Sequence, residues 1–156
     1  MILDQQAIVP AHVDRVWAFM MDVPAVSRCV PGVEEFAPID GDNFAGVLRV
    51  KVGPIAVRLQ GRITVTERDR AALRSGLAIQ AADRQINSTV SARTTMTLVP
   101  RSDAETELHI HTEASILGKL GEFGQAVIRR KADQIVGEFA RNVARELSAT
   151  EAPAGG

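Results

Sequence analysis

The sequence predicts one α+β domain in which a curved antiparallel sheet of about seven strands wraps around a long C-terminal helix. Three observations carry this. Residues 33–115 alternate apolar and polar with period two between turn signals. Residues beyond about 117 repeat at helical spacing, and 156 residues is the length of a single domain with a core of its own.

The elements follow in order. Residues 3–9 have strand character and stop at Pro10. Over 11–21, Val13, Val16, Trp17 and Met20 recur at helical spacing, and after Pro24 a shorter helical turn runs towards Cys29 before Pro31-Gly32 breaks the chain. Turn signals at 40–43, Gly53-Pro54, 68–70, Ala82-Asp83 and 100–103 divide the next segment into about six strands. The alternation is cleanest where Val57, Leu59, Ile63 and Val65 share a face across Gly61. Val90, Ala92, Thr94, Met96 and Leu98 repeat it, as do Leu108, Ile110, Thr112 and Ala114. From 117 to 148 two adjacent rows at four-residue spacing are apolar except for Lys131, so one broad helix face should lie on the sheet. Residues 1–148 are read as the domain and 149–156 as a flexible tail of linker composition. This order is that of the helix-grip fold, in which one helix covers only part of a twisted sheet and the remainder borders a cavity.

Composition narrows the functional classes. The formal net charge of -1 offers no global attraction to nucleic acid, and none is expected as a partner. A single cysteine, Cys29, excludes an internal disulfide and fits a reducing compartment. The start, Met1 to Gln6, lacks the basic and apolar pattern of a signal peptide, and no apolar run approaches the roughly 20 residues that span a bilayer. A cytoplasmic chain is expected.

Val9-Pro10, Val16-Trp17, Asp22, Val30-Pro31-Gly32-Val33, Gly41-Asp42, Gly53-Pro54, Gly61, Glu67 and Gly118-Lys119-Leu120-Gly121 form an ordered set over nearly the whole chain. In this the sequence resembles the carbon monoxide dehydrogenase CoxG family of the START-like (SRPBCC) superfamily. The resemblance implies a non-enzymatic accessory protein with a cavity for an apolar ligand, a quinone or a lipid. It also implies a molybdenum-containing dehydrogenase as partner, in maturation or membrane attachment, with peripheral contact at the inner face of the membrane. A small START-like enzyme, a cyclase or dehydratase, is the alternative. An assembly factor that works by its surface alone is a third reading.

Candidate cavity residues are Trp17 and Met20 from the first helix, and Leu59, Ile63 and Leu77 from the earlier strands. Thr94, Met96, Leu108, Ile110 and Thr112 come from the later strands, and Phe123, Val127 and Lys131 from the long helix. Lys131 either enters the cavity, where it could bond a ligand carbonyl, or snorkels past the rim. Thr94 and Thr112 could offer hydroxyls to a head group or satisfy each other. A portal is assigned to Pro31 and Gly32 together with Leu117, Gly118, Leu120, Gly121 and Gly124, whose glycines weaken the beginning of the helix. The other reading of 116–124 is a tight strand-to-helix corner. His109 and His111 have a spacing that suits a metal, yet alternation puts them with Glu107 and Glu113 on the wet face. His12 suits a capping or solvent role, and Cys29 a buried structural thiol. No metal, resident cofactor or catalytic residue is expected.

Overall fold

The computed structural model describes residues 1–151. It has β1 (Ile2–Val9), α1 (Val13–Met21), α2 (Val23–Ser27), β2 (Val33–Asp40), β3 (Asn43–Val52), β4 (Ile55–Asp69), β5 (Arg74–Asp83), β6 (Ser88–Ser102), β7 (Glu105–Gly118), a 3₁₀ turn (Lys119–Phe123) and α3 (Gln125–Glu151). The seven strands form one antiparallel sheet in the order β1-β7-β6-β5-β4-β3-β2. The expected architecture is therefore present.

Several boundaries move. His12 caps α1, its ring Nδ1 accepting the Asp14 N–H at 3.1 Å. β6 runs through Pro100 to Ser102 by a register shift rather than turning there, and β7 continues to Gly118. The long helix begins at Gln125 instead of near 117 because Gly118 and Gly124 take φ of 81° and 83°, which no α-helix accommodates. It extends to Glu151, beyond the expected boundary at 148, and residues 152–156 of the expected tail lie outside the described residues.

The helix does not lie centrally on the sheet. It runs chiefly along β1, the edge strand, where Arg129 donates to the Ile2 carbonyl at 3.0 Å and Gln5 donates to Asp133 at 3.2 Å. Its later half is the buried part. Phe139, Val143 and Leu147, spaced by four, join Val9, Val16, Trp17, Cys29, Met96, Leu98 and Leu108 in the main core. Thr106 donates to the Ala11 carbonyl at 2.8 Å and Arg15 to the Leu147 carbonyl at 2.7 Å, tying α1 to both partners. A second, smaller core of Val52, Val57 and Leu120 closes the opposite end, with Phe123 and Val127 packed on it.

Gly61 lies where β4 passes closest to β5. A Cβ built there would stand 2.0 Å from the Gln80 carbonyl oxygen and 2.7 Å from the Ala81 Cβ. Gly61→Ala is expected to lower stability by about 2–4 kcal/mol through backbone displacement, measured by urea denaturation.

On the outer face, His111 Nδ1 meets Asp4 Oδ1 at 2.6 Å and links β7 to β1. Mainly this hydrogen bond, with the charges of Asp4 and Glu113 adding to it and desolvation opposing it, raises the imidazole pKa above its ordinary 6.5. A raised folded-state value makes the contribution complete below about pH 6.5 and lost as pH rises through the folded value. Thermal melts should therefore show the β1–β7 link weakening above that point in the wild type. His111→Asn should flatten this part of the pH dependence.

Candidate ligand cavity

Two residues fix α2 over the sheet. Asp22 Oδ1 accepts the Ala25 N–H at 3.2 Å, capping the helix, and Pro24 fits its first turn. At the far end Gly32, at φ 92°, presses so close to β3 that a Cβ would stand 2.2 Å from the Arg49 carbonyl, while Arg49 N–H donates to the Gly32 carbonyl at 2.8 Å. Between these anchors Val23, Val26 and Val30 face the inner side of the sheet across an open space of about 330 Å³. This is at the small end of the roughly 300–1,000 Å³ range of ligand pockets.

The sheet side of the cavity comes from β2 to β6. Val33, Phe36, Leu48 and Leu59 border one part, and Ile63, Leu77, Ile79 and Val90 another. Gly46, Gly61, Ala81 and Ala92 leave the middle shallow, and Val47 completes the wall near β2. The lining is apolar apart from Ser27 and Arg62. Ser27 already donates to the Pro24 carbonyl at 2.7 Å, and Arg62 belongs by alternation to the outer face. The space lies between the two cores. Val26 and Val30 also pack on the main core, and Leu59 and Val90 on the smaller one.

Of the thirteen residues expected from the sequence, Leu59, Ile63 and Leu77 line this cavity. The others do not. Trp17, Met96 and Leu108 are buried in the main core with Met20 and Ile110 packed against it, because α1 and the later half of α3 fill that end of the sheet. Phe123 and Val127 cover the smaller core. Thr94 and Thr112 hydrogen-bond each other at 3.0 Å. Lys131 is half-buried, and its Nζ meets Gln134 Oε1 at 3.4 Å on the exposed side, the snorkelling arrangement.

The expected portal also divides. Pro31 and Gly32 connect Val30 to Val33 in the cavity wall. The segment 117–124 is the tight corner. A Cβ on Gly118 would stand 1.8 Å from the Asn87 carbonyl and one on Gly121 2.6 Å from that of Ile116, so neighbouring backbone occupies both places. Leu120 is buried and its N–H donates to Ser88 Oγ at 2.8 Å, whereas Leu117 is 64% exposed on the outside and Gly124 stands in open space.

Other candidates are engaged elsewhere. His109 Nε2 lies 2.9 Å from Glu107 on the outer face, and no group of three metal-type side chains occurs among the described residues. Cys29 is buried in the main core. Burial, reinforced by the Glu146 charge and opposed by Arg28, pushes its thiol pKa up, away from the reactive thiolate.

The sequence reading missed the contribution of α2 and of β2 and β3. A usable signal was the apolar Val23-Pro24-Ala25-Val26-Ser27 between two chain breaks, facing inward glycines at 46 and 61.

Fold and cavity together define a START-like domain built around an apolar pocket. The chain belongs to the carbon monoxide dehydrogenase CoxG family, whose model matches residues 6–148. No curated protein matches it. A conserved protein from Geobacillus kaustophilus is similar in structure at a TM-score of 0.85 with 20% identity, over 96% of this chain and 97% of that one. A START superfamily protein from Mycobacterium smegmatis gives 0.68 with 9% identity, over 96% and 98%. An aromatase/cyclase from a Streptomyces species gives 0.64 with 15% identity, over 96% and 97%. At these identities the likenesses establish the fold.

The corner depends on the buried Ser88 hydroxyl. Ser88→Ala leaves the Leu120 N–H without its acceptor and should cost about 1–3 kcal/mol in chemical denaturation.

Proposed function

We propose that the protein is a non-catalytic accessory carrier that holds an apolar molecule, a quinone or the apolar part of a lipid, between α2 and the sheet. In this reading it serves a molybdenum-containing carbon monoxide dehydrogenase-type enzyme, in maturation or in coupling to the membrane and its electron acceptor. The observation that carries the reading is the lining, apolar and almost without a free polar group, in a chain of the CoxG family. Burying apolar ligand surface supplies about 25 cal/mol per Å², so such a wall can bind without hydrogen bonds. Leu59, Ile63 and Leu77 are the ligand contacts we retain from the sequence. At about 330 Å³ the cavity takes one part of a long-tailed molecule rather than all of it.

The same reading places the chain in the cytoplasm with peripheral contact at the inner membrane face. No described helix is long and apolar enough to cross a membrane, so this contact would be made from the surface. A cyclase or dehydratase would need acid or base groups converging on one substrate atom. Lys131, Thr94 and Thr112, the residues that reading relied on, find partners among themselves and Gln134.

Organic extraction of the purified protein followed by mass spectrometry should release a quinone or lipid in stoichiometric amount. An empty extract together with no binding of quinone analogues would sink the proposal.

A further inference from the structure

The cavity floor has a shape that follows from strand register. Phe36, Gly46, Gly61, Ala81 and Val90 are successive partners across β2, β3, β4, β5 and β6, so they form one rung on the inner face. Its three middle members carry at most a methyl group. Leu48 and its partner Leu59 stand on one side, and Ile63 and its partner Ile79 on the other. The result is a slot running across the strands, with bare peptide as its floor, branched side chains as its walls, and Val26 and Val30 of α2 above it. Four strand spacings of about 4.8 Å make the rung roughly 19 Å long.

The two glycines have different causes. Gly61 is required by the fold, since neighbouring backbone occupies the place of its Cβ. Gly46 is not required to the same degree. A Cβ there would meet the Glu35 carbonyl oxygen at 3.3 Å and Phe36 Cδ2 at 3.4 Å, which small adjustments accommodate. A strand glycine that packing does not demand marks close approach by something else, and here the adjoining space is the cavity.

Resting on the cavity reading above, we infer that the Gly46–Gly61–Ala81 rung is a selectivity element. It admits a flat ring system lying across the strands, face against the glycine peptides and edges against the leucine and isoleucine walls, in preference to a flexible chain of equal size. The ring makes many dispersion contacts with an exposed backbone and has little conformational entropy to lose, whereas a chain must be ordered bond by bond.

The test compares naphthoquinone with undecanol, an equally large chain, by calorimetric titration and by amide NMR shifts. Wild type should bind naphthoquinone at least about tenfold more tightly, with shifts at Gly46 and Gly61. Ala81→Leu, which fills the slot, should remove most of that preference without lowering the melting temperature. Should this variant fail to fold, Gly46→Ala is read instead, with an expected loss of about threefold for naphthoquinone alone. If wild type binds neither probe, the cavity reading and the slot fall together. Binding without a preference overturns the slot and leaves the cavity reading intact. So does a variant that weakens both probes equally, or neither.

Discussion

The governing constraint is that one helix cannot cover seven strands. A helix with side chains is about 10–12 Å across, while seven strands spaced by about 4.8 Å extend roughly 29 Å from first to last. By lying along β1, α3 leaves the β2–β5 side of the inner face without cover from the long helix. What happens over that side decides the interior. Only the five-residue α2 reaches it, and a helix so short supplies three valines where a full layer would need several rows. The interior therefore separates into two packed clusters with a space between them.

That space is held open by elements fixed from outside it. α2 hangs between the Asp22 cap and the Gly32 contact with β3, so its inward collapse would break backbone hydrogen bonds at either end. The 3₁₀ corner closes the smaller core through the Leu120–Ser88 bond, and Phe123 packs over Gly53, the Cβ of which would lie 3.4 Å from the ring. The many ion pairs on the outer face, such as Arg49–Glu34 and Arg68–Asp42, are exposed and of small energetic weight. Cavity shape thus depends on backbone contacts and apolar packing.

Much of the fold was legible because period-two alternation is a local property. The inward residues of β4, β6 and β7 follow from the sequence, and the turn at Gly53-Pro54 falls where expected. The site was less legible because inward orientation does not say what lies opposite. Met96 and Leu77 both face the inner side. Met96 meets the filled end formed by α1 and Phe139, while Leu77 meets the space under α2. Helical periodicity likewise marked the apolar face of α3 without fixing which strand receives it. Glycine spacing at 118, 121 and 124 did not separate hinge from corner, a distinction that rests on the carbonyls of Asn87 and Ile116.

The fold is shared with an aromatase/cyclase, but fold alone does not carry chemistry. Acid–base catalysis requires unspent polar groups aimed at one point. Here the Ser27 hydroxyl donates to its own helix, the two threonines bond each other, and Lys131 turns to Gln134. Walls of this kind can remove water from an apolar molecule but have little with which to polarise it. Discrimination among ligands then falls to shape, and shape in this cavity is decided by which inward positions carry no side chain.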